Sequence, residues 1–170
     1  MIATKYPIER FLPEDATVPV AKQIAGSLAK TVDDFVARFG TKDEAWASRK
    51  PAPDKWSAKE ILGHLIDSAT NNHQRFVRTQ YQTDLRFPGY EQTRWVSLQH
   101  YNERTWSNLV LFWRSFNLHL AHVVSYLSES ALQKQCIVGS GAPESLEWIA
   151  TDYVGHMQHH IKQMENLAKV

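Results

Sequence analysis

Apolar residues recur at helical spacing in four stretches of the chain, and strand-like alternation is nowhere sustained. From about Pro19 to Phe39, Ala21, Ile24, Leu28, Val32, Phe35 and Phe39 share one face, and Gly40 supplies a stop. A second helix is announced by Ser57-Ala-Lys-Glu60, a capping box in which Ser57 bonds the amide of residue 60 and Glu60 reaches back. Trp56 and Ile61 flank it as a hydrophobic staple, and the helix is predicted to run to about Gln80. A third covers about Asn102 to Ser128, with Trp106, Leu109, Trp113, Phe116, Leu120, Val124 and Leu127 as its stripe. The fourth begins near Ser145 and runs almost to the end, with Leu146, Ile149, Tyr153, Met157, Met164 and Leu167 inward. The less regular segment from Tyr81 to about Tyr101, with a turn signal at Phe87-Pro-Gly-Tyr90, is predicted as a long loop. A second loop carries Cys136, Gly139, Gly141 and Pro143. The expectation is an all-α, antiparallel four-helix bundle filling one domain over residues 1–170.

Composition narrows the function classes. Lys plus Arg number 19 against 18 Asp plus Glu, so charge gives no reason to expect nucleic acid or an anionic membrane. The longest strictly apolar run, Leu109 to Trp113, is far short of a membrane span. The opening MIATKYPIER has no apolar signal region, and a cytoplasmic location is the expectation. The single cysteine, Cys136, excludes an internal disulfide and any multi-cysteine zinc site.

The histidines carry the chemistry. At about 100° per residue, with Tyr153 as zero, His156 falls near about −60° and His160 near about −20°, inside the apolar stripe, while His159 falls outside it. On the second helix His64 also faces inward, whereas His73 points away; His119 and His122 on the third should be exposed. An i, i+4 pair places two imidazoles on one helix face. With a third from a facing helix they form a three-nitrogen set for a divalent ion, with a fourth position open as in catalytic sites. The competing reading is three packed core histidines, each satisfied by a hydrogen bond. Burying three imidazoles in an apolar core without a shared partner is costly.

Beyond Leu65 the inner face of the second helix turns polar, through Ser68, Asn71, Asn72 and Arg75. One reading is a substrate pocket beside the metal, with Arg75 or Arg78 receiving an anionic group; the other is a frayed, solvated bundle end, or an Arg75 paired with a carboxylate. Asp67, one turn past His64, could orient a metal ligand as an acceptor, but its angle argues more for a helix-surface or loop contact. There is no Glu-x-x-His, no HExxH, no glycine-rich phosphate loop and no G-x-S-x-G.

The run Trp56-Ser57-x-x-Glu60-x-Leu62-x-His64-Leu65-x-Asp67-Ser68, followed by His156-x-x-x-His160-x-x-Gln163, resembles the DinB superfamily. Tyr90-Glu91-Gln92 with Trp95, and Ser145-Leu146 leading into the last helix, resemble its YfiT-like, bacillithiol-transferase branch. The resemblance implies a four-helix bundle, often dimeric, with a three-histidine site for nickel or zinc at His64, His156 and His160. It also implies a small-molecule substrate, with a low-molecular-weight thiol among the expected partners. Relatives often carry Arg-Gly before the final Gln, where this chain has Ile161-Lys162. Thiol S-transfer is therefore the first functional expectation. Metal-dependent hydrolysis and a non-catalytic metal- or ligand-binding bundle are the alternatives.

Overall fold

The computed structural model describes residues 18–167, so the N-terminal stretch read above for targeting lies outside the described residues. Four long helices carry the core: α1 (Val20–Phe39), α3 (Ala58–Arg78), α5 (Trp106–Ser125) and α7 (Leu146–Leu167). Three short ones join them, α2 (Glu44–Ser48), α4 (Gln92–Leu98) and α6 (Glu129–Leu132), with a 3-10 turn at Tyr101–Glu103. The predicted stripes are the buried faces: all six named positions of α1 are buried, and on α5 only Phe116 stays half-exposed. The capping box of α3 forms in full, with Glu60 N–H donating to Ser57 Oγ at 3.2 Å and Ser57 N–H to Glu60 Oε2 at 2.8 Å. Among the described residues no helix is long and apolar enough to cross a membrane.

Side-chain contacts fix the topology. Late α1 meets early α5, with the Phe35 and Trp113 ring centroids 4.5 Å apart and Trp106 Nε1–H donating to the Phe39 carbonyl, so these two helices are antiparallel. Helices α3 and α7 are antiparallel too, with His64 beside His160, Ser68 beside His156 and Phe76 beside Tyr153. By contrast α1 and α7 run parallel, since Thr31 meets Gln158 and Arg38 meets Glu165. Chain order therefore reads up, down, down, up. A down helix followed by another needs a connection that climbs back along a helix of 21 residues, about 30 Å long. That is the work of the segment from Thr79 to Thr105, and it explains its length.

The segment is not the loop expected. It holds α4, the 3-10 turn and β1 (Leu85–Phe87), which pairs in parallel with β2 (Gln135–Val138) at Leu85↔Cys136 and Phe87↔Val138. Strand β2 also pairs antiparallel with β3 (Pro143–Ser145) through a hairpin in which Gly139 takes φ +59°. Cys136 thus sits in a strand, buried, and not in a loop. Strands of three or four residues are too short for period-2 alternation to register. The sheet is tied to the C-terminal end of α3, where Lys134 Nζ donates to the Gln80 carbonyl at 2.5 Å, and so closes the end that one sequence reading left frayed. The third helix also starts later than Asn102, at Trp106, because the 3-10 turn and Thr105 intervene.

Candidate metal centre

His64 lies seven positions into α3, and His156 and His160 project from one face of α7 toward it. All three are buried, His64 fully, with His156 and His160 keeping 9% and 8% exposure, so the cluster sits just beneath the surface on the α7 side. One nitrogen from each falls within 4.8 Å of the others, the only such His/Cys/Asp/Glu group of three among the described residues. His64 Nε2 and His156 Nε2 approach to 3.1 Å. For comparison, two nitrogens on one tetrahedral ion with legs of about 2.0–2.1 Å stand about 3.3 Å apart. The Trp56 ring lies 5.3 Å from that of His64 and covers it.

The second nitrogens decide which lone pairs point inward. His160 Nδ1–H donates to Gln163 Oε1 at 2.9 Å, which assigns the proton to Nδ1 and leaves Nε2 free as a donor to a metal. His156 Nδ1 faces Ser68 Oγ at 3.4 Å, whereas buried His64 Nδ1 has no partner among the described residues. Burial lowers the pKa of all three: His64 to about 3, with His160 adding to the effect, His156 to about 2, and His160 downward against the pull of Gln163. They are neutral at neutral pH, the state metal binding requires. Uncharged, convergent and backed by Gln163 and Ser68, the set fits a divalent ion.

The polar face of α3 is wired into this cluster. Asn72 Nδ2–H donates to the Ser68 carbonyl at 2.9 Å and to Ser68 Oγ at 3.3 Å, while Asn72 Oδ1 accepts from Arg75 Nη1 at 3.1 Å. A chain Arg75–Asn72–Ser68–His156 results. Asn71 is not in it: half-buried, it donates to the Asp67 carbonyl, because position 71 turns off the α7-facing side. Asp67 is in a loop contact, as its angle suggested, but a buried one. Its Oδ1 accepts from Tyr101 Oη at 2.7 Å and Gln99 Nε2 at 2.6 Å. A Cβ on Gly63 would lie 2.0 Å from the Tyr101 ring, so only glycine lets that ring reach Asp67. His119, His122 and His159 are exposed, as expected. His73 is half-buried rather than outward, its ring 5.6 Å from Phe116 and 5.5 Å from His119 in the α3–α5 seam.

Three neighbours carry no site role in the sequence reading, although Gln163 and Tyr90 stand in the motifs of the resemblance. Gln163, three residues past His160, and Asp152, one turn before His156, could have been found from i+3 and i−4 spacing. Tyr90 needed the fold, since β1 and its turn bring it over α3. A recess of about 320 Å³ lined by Asp67, Trp95, Gln99 and Tyr101, and a shallow one of about 830 Å³ edged by Tyr90 and Gln92, do not contain the histidines. The hydrogen-bond geometry, not those recesses, defines the site.

Fold and cluster together define a class. The chain belongs to the DinB superfamily, whose family profile matches residues 27–164. Its fold is similar to that of YfiT from Bacillus subtilis, described as a probable metal-dependent hydrolase with an unusual four-helix bundle topology. That likeness has a TM-score of 0.77 at 16% identity over 88% of this chain and 86% of that one, and at such identity it speaks for the fold. No curated protein sequence matches the chain.

Proposed function

We propose that this protein is a metal-dependent enzyme acting on a small molecule, with His64, His156 and His160 holding the divalent ion. The observation that carries the reading is the convergence of three neutral, buried imidazoles from two helices, within 4.8 Å of one another and with no carboxylate among them. A divalent ion held by neutral ligands keeps its full charge and lowers the pKa of a thiol or a water molecule. The residues do the rest. Gln163 and Ser68 orient the His160 and His156 rings, Trp56 shields His64, and the residual exposure of the cluster is on the α7 side.

The first reaction we assign is thiol S-transfer, favoured by the resemblance of Tyr90-Glu91-Gln92 and Trp95 to the transferase branch. A sulfur–carbon bond forms as the leaving group departs with its electron pair, and the thiol proton is released to solvent. The second reading is hydrolysis, favoured by the description of the Bacillus subtilis relative. The test is to load the metal-free protein with zinc or nickel and assay 1-chloro-2,4-dinitrobenzene with and without 2-mercaptoethanol, and 4-nitrophenyl acetate without thiol. Metal- and thiol-dependent turnover, lost in His160→Ala, supports transfer; thiol-independent ester cleavage supports hydrolysis. Neither activity in a metal-loaded protein would leave a metal-binding bundle without catalysis.

A further inference from the structure

Arg75 stands apart from the other polar groups of α3. Among the described residues its guanidinium makes one hydrogen bond, from Nη1 to Asn72 Oδ1, and its buried Nε–H meets no partner. It takes part in no ion pair among the described residues. Arg78, the other cation considered for an anionic group, is already engaged: its Nε–H donates to Gln82 Oε1 at 3.1 Å and its guanidinium lies 5.5 Å over the Phe87 ring. A buried guanidinium donor without an acceptor is costly, and it is retained where something else supplies the acceptor.

The surroundings say what that acceptor is. The register that sets His64 by His160 and Ser68 by His156 sets Asn72 opposite Asp152 one turn further on, so Arg75 lies near Asp152, about two turns beyond the level of His156 and three beyond that of His64 and His160. The other titratable groups near the guanidinium are Tyr90 and Cys136, with neutral His156 further along; no second cation is among them. One planar cation with an acid at its side suits a singly charged, planar anion and disfavours a doubly charged phosphate. Tyr90 and Asp152 are only half-buried, which leaves the spot reachable from outside.

We propose that Arg75, held by Asn72, anchors a carboxylate carried by a small-molecule substrate of the histidine centre. The inference rests on the reading of that centre as an enzyme site and adds the substrate class. The carboxylate belongs either to the thiol or to its acceptor, and the experiment separates the two.

The experiment follows the Arg75 Nε–H resonance by nitrogen–proton correlation in the full chain, metal-free and zinc-loaded, while acetate or phosphate is added. Acetate should shift it saturably in both forms and bind more tightly than phosphate. Arg75→Lys, which keeps charge but not the fork, should weaken acetate by about tenfold. Thermal melts of Arg75→Met should show a protein that still folds, since the change removes one hydrogen bond, to Asn72 Oδ1, and leaves the apolar core intact. In the zinc form, 3-mercaptopropionate binding about tenfold tighter than 2-mercaptoethanol places the carboxylate on the thiol; equal affinity places it on the acceptor. No saturable acetate shift, or phosphate binding tighter than acetate, overturns the anchor even if zinc binds. Failure of zinc to bind would overturn the centre while the metal-free acetate titration still judges Arg75.

Discussion

Along α1 and α5, Phe35, Phe39, Trp106 and Trp113 meet ring against ring, with Trp46 of α2 stacked on Phe39 at 5.7 Å. Along α3 and α7 buried positions hold three histidines, Ser68 and Asn72, with half-buried Arg75 bonded to Asn72. Unpartnered polar atoms occur on both sides, but they differ in kind. In the aromatic half they are the indole N–H groups of Trp46 and Trp113, single donors on large apolar rings. In the α3–α7 half they are, among the described residues, His64 Nδ1, Asp67 Oδ2, Arg75 Nε and Thr79 Oγ1, the first three on groups that bind ions and protons. One half spends burial on stability; the other gives up some stability to keep reactive groups dry and poised. Replacing residues in each half should therefore move different observables.

The largest effect expected is on stability, from the aromatic half. Trp113→Ala should cost about 3–5 kcal/mol by denaturant unfolding, through lost burial and the cavity left behind, while divalent-metal affinity of the folded fraction stays at the parental level. A large fall in affinity would mean the two halves are coupled. Next comes Gly63→Ala, which drives a methyl into the Tyr101 ring and should cost about 1–3 kcal/mol. Adding Tyr101→Ala should then cost less than it does in the parent, and additive costs would show that the close approach is not the cause.

Third, His64→Ala, His156→Ala and His160→Ala should each lower metal affinity by at least about tenfold, about 1.4 kcal/mol, read by competition with a chromogenic chelator. His73→Ala, His119→Ala and His122→Ala should leave it unchanged. Undiminished binding in His64→Ala and His160→Ala together would dismiss the cluster as a metal centre.

The smallest net effect is that of acid on the metal-free protein, because two sets of groups oppose each other. His64 and His156 have folded pKa values of about 3 and about 2, below their ordinary value of about 6.5, so the unfolded chain binds more protons and stability falls as pH drops below about 6.5. Asp152, pushed up to about 6 by burial, acts the other way: its burial penalty is relieved as pH falls through 6. Between pH 6.5 and 5 the parent should lose stability modestly and Asp152→Asn more steeply, by the denaturation midpoint at each pH. A rise in stability on acidification of Asp152→Asn would reverse the assigned sign.

Much of this was legible in the sequence, for physical reasons. The stripes from Ala21 to Phe39 and from Trp106 to Leu127 are long enough for the 3.6 period to dominate, and helix angles alone put His64, His156 and His160 inward. The same angles could not tell Asn72 from Asn71, because neighbouring inward positions differ in what faces them, and only α7 decides that. They also marked Asp67 as outlying, since they cannot see Tyr101 arriving from a segment of chain that climbs the bundle. The sheet was missed because Leu85-Arg86-Phe87 and Gln135 to Val138 acquire strand character only by pairing with each other.

His64 and His156 are 92 positions apart in the chain, and no shorter span brings the three imidazoles together. The centre can exist only after α7 has docked on α3 and a loop of that length has closed, a late event in a folding reaction because its entropy must be met before the contacts reward it. An ion recognised by the finished cluster then has little to hold in the transition state and much to hold in the native state. It should leave the folding rate nearly alone and slow unfolding, so that metal supply sets the lifetime of each folded molecule rather than how quickly it forms.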